Sequence, residues 1–156
     1  MNKPIRIALL GLGTVGSGVY KLIHRRAQEM PQIAGAPIEI SHILVRNTTK
    51  ERPGVDSSLL TDNWTDIVND PEVSIVVELM GGMEPAHTYI AEALKAGKNV
   101  VTANKDLIAM HGGDLLDLAA EHQCDLQFEA SVAGAIPIIR PLKQCLAGNE
   151  ISEIMG

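Results

Sequence analysis

The chain has 156 residues, 46% hydrophobic and 21% charged, enough to close one core and too apolar and too weakly charged for a disordered chain. A formal net charge of −6, with His24-Arg25-Arg26 as the single short basic run, excludes a nucleic-acid partner, because phosphate binding needs clustered Lys and Arg. No apolar run of about 18 residues and no secretory leader pattern occurs, so no membrane partner is expected and the location implied is cytoplasmic.

Aromatic residues make up only 3%, so the core must be built from Val, Ile, Leu, Ala and Met, as suits helices laid on a buried parallel sheet. Ile5 to Leu10 reads as the first strand. Val15, Val19, Leu22 and Ile23 recur at helical spacing and predict a helix from about Thr14 to Gln28, with the basic run at its end complementing the dipole. Pro31, Gly35 and Pro37 mark a loop before the strand Ile38 to Val45. Arg46 to Asn63 is a long polar connection with a short helical piece around Ser57 to Leu60, followed by a short helix from Trp64 to Asn69 and a strand from Ser74 to Met80. Pro85 opens the next helix and Gly97 closes it. Asn99 to Thr102 is a strand, Leu107 to Met110 and Asp114 to His122 are helical and separated by Gly112-Gly113, and Asp125 to Glu129 is a strand. Pro137 to Leu146 predicts a helix in which Cys145 is buried, and Glu150 to Met155 the start of another strand. Cys124 and Cys145 have neither C-x-x-C spacing nor a His cluster, which excludes a zinc or redox motif. Asn47-Thr48-Thr49 and Asn63-Trp64-Thr65 match the glycosylation triplet by chance. Strands alternating with helices predict an α/β chain: a Rossmann-type, doubly wound, mostly parallel sheet with helices on both faces.

Gly11-Leu12-Gly13-Thr14-Val15-Gly16 is G-x-G-x-x-G directly after a buried strand and at the start of a helix. In that context Gly11 makes the turn, Gly13 lets backbone N–H groups approach a pyrophosphate, and Gly16 lets helix and strand pack; the bland alternative is a plain glycine-rich turn. The strand that would carry a ribose-binding carboxylate instead ends Leu44-Val45-Arg46-Asn47, and Glu39 lies at its wrong end. Arg46, aided by Lys50 or Arg52, can face a 2′-phosphate, which favours NADP over NAD, although Arg46 is also what an exposed loop would carry. Gly81-Gly82 follows a strand at the ligand edge and allows close backbone approach to a nicotinamide ribose.

Thr102-Ala103-Asn104-Lys105 ends another strand on that edge, so Lys105 is a candidate to touch nicotinamide or substrate, with Thr102 and Asn104 able to orient it. A cation at a helix start is locally unfavourable, which argues for function over a surface role. Glu129 to Pro137 (E-A-S-V-A-G-A-I-P) is a loop of small residues after a carboxylate: carbonyls plus one carboxylate suit a hard cation, with a strand-to-helix connection as the default reading.

G-L-G-T-V-G, T-A-N-K-D-L-I-A-M-H-G from Thr102 to Gly112, and E-A-S-V-A-G-A-I-P-I-I from Glu129 to Ile139 together resemble homoserine dehydrogenase over about Ile5 to Gly156, the last two motifs being the more specific. The resemblance implies reversible reduction of aspartate 4-semialdehyde to homoserine with NAD(P)H. It implies cofactor contacts at Thr14, Val15, Met80 or its neighbours, Ala103 and Lys105, and a 2′-phosphate region at Arg46 and Lys50. Lys105 matches an active-site lysine, and Glu129, Val132, Gly134 and Ile136 match a monovalent-cation (sodium-type) site. Ala135 stands where many members have Gly. The resemblance further implies that residues 1–156 are the NAD(P)-binding domain, that about 135–156 lead into an absent substrate and dimerisation domain, that the whole enzyme is a homodimer, and that this chain alone turns over little or no substrate. Two other readings share the fingerprint: an aspartate-dehydrogenase-like oxidoreductase, which is not expected to carry the Glu129 segment, and a non-catalytic NADP-binding module, which needs neither Lys105 nor that segment.

Overall fold

The computed structural model describes residues 2–134 and 136–155. Its strands are β1 (Ile5–Leu10), β2 (Ile38–Leu44), β3 (Leu60–Thr61), β4 (Val73–Glu78), β5 (Asn99–Thr102) and β6 (Leu126–Gln127). Its α-helices are α1 (Thr14–Arg25), α2 (Met30–Ala34), α3 (Thr65–Val68), α4 (Ala86–Lys95) and α5 (Lys105–Glu121). All strand pairs are parallel and the order is β3-β2-β1-β4-β5-β6. That is the doubly wound order, in which the chain reverses direction across the sheet between β1 and β4.

Period-2 alternation in β1 divides the core. Ala8 and Leu10 face α3, α4 and α5, in a cluster with Ile67, Ile90, Leu94, Leu107 and Leu115. Ile7 and Leu9 face α1, in a cluster with Tyr20, Ile40 and Ile43. Each fully buried Leu or Ile contributes about 1.5–3 kcal/mol relative to exposure. At the N-terminal edge of the sheet the buried Lys98 ammonium donates to the carbonyls of Asp70 (2.6 Å) and Val73 (2.9 Å). Burial pushes its pKa down, partly opposed by Asp70.

Several sequence expectations need correction. The first helix stops at Arg25 rather than Gln28, and the expected loop at 31–37 holds α2, which has Pro31 in its first turn and a left-handed Gly35 as its C-cap. The short strand β3 lies inside the polar connection, where periodicity is too brief to show it. Gly112-Gly113 do not divide a helix: α5 runs through both. Two glycines cost about 1 kcal/mol each, but buried Leu107, Leu115 and Ala119 pin the helix on both sides of them. β6 has two residues rather than five, because at Phe128 the backbone turns (φ −138°, ψ 22°) into a 3-10 turn at Glu129–Ser131. Beyond it the chain is helical from Ile139 and widens into a π turn over Pro141–Cys145, closed by Leu146 N–H to the Pro141 carbonyl (3.0 Å). Pro141 has no N–H for regular helical bonding. Cys145 is exposed, not buried. Residues 150–155 are not a strand; they are exposed and pair with no neighbour among the described residues.

The β1–α1 turn makes a steric prediction. A Cβ on Gly16 would collide with the Gly11 carbonyl oxygen. Gly16→Ala is expected to cost about 1–3 kcal/mol, the usual price of overpacking, measured as a lowered urea midpoint; an unchanged midpoint contradicts the contact.

Candidate functional site

The C-terminal ends of the parallel strands open on a crevice of two adjoining cavities that share the Leu79–Gly81 wall. Its larger part, about 540 Å³, is lined by Gly11 to Gly13, by Leu44 to Asn47 with Lys50 and Arg52 at the β2 end, and by Leu79 to Gly81 after β4. A smaller part, about 220 Å³, shares Leu79 to Gly81 and continues past Val15 and Glu78 to Ala103 and Asn104 at the end of β5.

The middle of the crevice is the start of α1. Gly11 has φ +100°, and a Cβ there would lie 3.1 Å from the Leu79 carbonyl oxygen and 3.3 Å from the Met80 Cα. Gly11 and Gly16 are therefore demanded by the protein's own packing. Gly13 is different: a Cβ there would meet nothing within 4 Å. Its missing side chain serves open space in the crevice. Helix α1 also begins without a side-chain cap on Gly13 and without an acidic residue in its first turn, which holds Thr14, Val15 and Gly16. Its first N–H groups and the positive end of its dipole are left for an anion. At the other end, His24 and Arg25 occupy the last turn, as the dipole favours.

The β2 end is basic. Asn47 Oδ1 accepts from Thr49 N–H (2.8 Å), the Thr49 hydroxyl (2.8 Å) and Lys50 N–H (3.1 Å), a tight turn that presents Arg46 and Lys50 on the crevice wall. Arg52 donates to the Lys50 carbonyl (2.8 Å), and Asp62 and Glu84 are the carboxylates that line this part of the crevice. Tyr89, stacked on Trp64 with ring centroids 4.6 Å apart, and Pro85 supply a flat apolar wall. Glu39 lies far from this end, 3.6 Å from Arg6.

The β4–β5 end is built around Glu78, which the sequence reading did not single out. Its carboxylate is fully buried. Oε1 accepts from Met80 N–H (2.8 Å) and Gly81 N–H (3.1 Å), and Oε2 accepts from the Thr102 hydroxyl (2.6 Å). The Thr102 hydroxyl accepts in turn from Asn104 N–H (3.0 Å). Asn104 donates to the Gly82 carbonyl (2.6 Å), and its Oδ1 caps α5 by accepting from Leu107 N–H (3.2 Å). Thr102 and Asn104 thus bind the two strand ends together rather than orienting Lys105. Lys105 is the first residue of α5, exposed, directly after the crevice-lining Asn104. The available signal for Glu78 was one carboxylate closing an otherwise aliphatic strand.

The Glu129 segment connects β6 to the helical stretch from Ile139, the default reading of the sequence. Glu129 Oε1 accepts from Ile138 N–H (2.6 Å) and Ile139 N–H (2.9 Å), and Oε2 from Arg140 N–H (2.7 Å). These donors fill three of the carboxylate's roughly four lone-pair directions, so one direction remains for a cation. Val132 ends the 3-10 turn, Gly134 has φ +60°, and Ile136 is 64% exposed. The departure at Ala135 lies outside the described residues. Among those residues no group of three or more His, Cys, Asp or Glu is placed to hold a metal ion, and no helix is long and apolar enough to cross a membrane.

A parallel sheet of this order, with an uncapped glycine-rich helix start at its switch point and a crevice across its strand ends, defines a Rossmann-type dinucleotide-binding domain. The family model "Homoserine dehydrogenase, NAD binding domain" matches residues 11–129. The chain belongs to that family, a domain for a nicotinamide cofactor. It is 45% identical over 155 residues to the homoserine dehydrogenase of Bacillus subtilis, covering 99% of this chain and 36% of that protein. A homoserine dehydrogenase structure from Thiobacillus denitrificans superposes with a TM-score of 0.86 at 44% identity, covering 94% of this chain and 34% of the other. One from S. aureus, at pH 8.5, gives 0.79 at 49% identity, covering 83% and 33%. The chain spans about a third of the length of these relatives.

The backbone N–H bonds from Ile138 and Arg140, joined by the bond from Ile139 and the nearby Arg140 charge, hold the Glu129 carboxyl below the usual carboxylate range against an opposing desolvation. A lowered folded-state pKa means that the anchor is complete above the ordinary carboxylate value and is lost as pH falls through the lowered one. Amide resonances of Ile138, Ile139 and Arg140 should therefore hold steady near neutrality and titrate together only below the normal glutamate range. In Glu129→Gln they should show no such step; an identical step in that variant would contradict the anchor.

Proposed function

We propose that the chain binds NADP in preference to NAD along this crevice and that it is the cofactor-binding part, residues 1–156, of a homoserine dehydrogenase. The observation that carries the reading is the row of adjoining cavities from a basic end, past an uncapped helix start, to a buried hydrogen-bonded end. Its proportions suit one dinucleotide: phosphorylated adenosine at Arg46 and Lys50, pyrophosphate at Gly11, Gly13, Thr14, Val15 and Gly16, nicotinamide at Met80, Gly81, Ala103 and Lys105. The absence of a carboxylate at the end of β2, where NAD-binding domains place one for the ribose hydroxyls, supports the preference for NADP.

In the whole enzyme the proposed reaction interconverts aspartate 4-semialdehyde and homoserine, in a cytoplasmic homodimer. When bound, the nicotinamide ring supplies or accepts the hydride. The chain's own residues orient it: α1 holds the diphosphate, and Met80 to Gly82 and Asn104 shape the wall beside the ring. Lys105, a cation at the mouth of that end, is assigned to the substrate oxygen, whose charge changes as hydride moves. A sodium-type cation is assigned to Glu129, Val132, Gly134 and Ile136, on the strength of the lone-pair direction left on Glu129 Oε2. Sodium that leaves the amide resonances of 132–134, 136 and 138–140 unmoved at constant ionic strength would remove that assignment.

Titration of the chain with NADPH and with NADH, followed by nicotinamide fluorescence, tests the main reading. NADPH should bind more tightly, and Arg46→Ala should remove most of that difference while leaving NADH affinity within about two-fold, since one charge-assisted contact to phosphate is worth about 1.5–3 kcal/mol. Tighter NADH binding would refute the preference. Gly13→Ala offers an independent check: any loss of stability should stay within the about 1 kcal/mol that alanine costs at a helix N-cap, while affinity for both dinucleotides falls at least ten-fold, because the added methyl enters only the crevice. Unimpaired binding would place the diphosphate elsewhere.

A further inference from the structure

We propose that Glu78 is the positioning residue of the nicotinamide end, holding the β4 and β5 lips of the crevice at one spacing through a single buried carboxylate. The inference rests on the dinucleotide reading above and adds a residue that neither the glycine fingerprint nor the lysine motif contains.

The assignment of ends follows from chemistry. Arg46, Lys50 and Arg52 stand where a phosphorylated adenosine belongs, and α1 offers its N–H groups at the centre. The other half of a dinucleotide must then reach the smaller part of the crevice, lined by Val15, Glu78, Met80, Gly81, Ala103 and Asn104. Two backbone segments form that wall: the Met80–Gly82 loop after β4 and the Ala103–Asn104 turn after β5. Apolar burial alone does not fix this wall: of these residues Met80 packs against the core, as a partly buried side chain. Leu79, Met80, Gly81 and Gly82 are each half-buried or exposed, and Gly81 and Gly82 sit at φ +71° and +76°. What fixes them is the carboxylate between them. One oxygen takes both N–H groups of the loop, and the other takes the Thr102 hydroxyl, which itself receives the Asn104 amide. Asn104 closes the circuit by donating to the Gly82 carbonyl.

A buried carboxylate is a costly way to end a strand unless its donors are all present. Here three donors converge on it, and two of them are main-chain N–H groups of the crevice wall. The circuit spans both lips and carries no contact to the β2 end. Its loss should be felt by the nicotinamide half of the ligand and not by the adenosine half.

The experiment compares two ligands on the same 156-residue chain: whichever of NADPH and NADH binds more tightly, and the matching nicotinamide-free fragment, 2′-phospho-ADP-ribose or ADP-ribose. Glu78→Gln keeps the shape but turns the Oε2 acceptor into an amide NH2, so the Thr102 hydroxyl loses the carboxylate to which it donates. The full dinucleotide is expected to lose about ten-fold in affinity while the fragment stays within two-fold. Thr102→Val should reproduce that selective loss and Thr102→Ser, which keeps the hydroxyl, should restore wild-type binding. These paired variants keep the question answerable if Glu78→Gln folds poorly. Equal losses for both ligands, accompanied by a lowered Tm, would reduce Glu78 to a fold-stabilising residue and overturn the proposal. Undiminished dinucleotide binding in Glu78→Gln and Thr102→Val would overturn it as well. If the wild-type chain binds neither ligand, the dinucleotide reading fails first and this inference falls with it.

Discussion

The close approach of Gly16 to the Gly11 carbonyl, and of Gly11 to the Leu79–Met80 backbone, is the constraint on which the rest depends. It brings the end of β1, the start of α1 and the exit of β4 to one point. A side chain at either glycine would push the helix off the sheet and close the gap between the diverging chains. Because the helix begins there without a side-chain cap, its unsatisfied N–H groups face the opening rather than a neighbour. The binding edge is thus a consequence of how tightly one turn packs.

Charge is then distributed along that edge in a way the net value conceals. A chain with formal charge −6 gathers Arg46, Lys50 and Arg52 at one end of the crevice. Two of its carboxylates are turned inward on backbone amides, Glu78 on the loop after β4 and Glu129 on the amides of Ile138 to Arg140. Both act on geometry: one closes the crevice wall, the other anchors the segment that leaves the sheet. A carboxylate that accepts several N–H bonds substitutes for secondary structure where the chain has none.

Elements with many repeats of their pattern were legible from residues alone. β1 and β5 have the bounds expected, and α1 and α4 start where Thr14 and Pro85 indicated. The glycine fingerprint, the basic end at Arg46 and the ligand-edge position of Ala103 and Asn104 could be read because each depends on a short stretch of chain. The misreadings share one cause. Gly112-Gly113 look like a break until Leu107 and Leu115 are seen packed in one cluster with Ile90 and Leu94 of α4, which holds α5 on both sides. Thr102 and Asn104 look free to orient Lys105 until Glu78 and Gly82 are seen to engage them. In each case the deciding partner is distant in sequence.

The order of residues by itself determined the class of fold, the glycine-rich turn at the start of α1 and the family to which the chain belongs, since hydrophobic period, glycine spacing and local motifs are properties of neighbours along the chain. Only the tertiary structure decided that Glu78 joins the two walls of the crevice, that Glu129 spends most of its lone pairs on its own backbone, and that a Cβ on Gly13, unlike one on Gly11 or Gly16, would meet no other part of the protein. The physical reason is that hydrogen-bond partners and empty space are set by which strands lie side by side, and the parallel crossovers bring together residues 24 positions apart, as with Glu78 and Thr102.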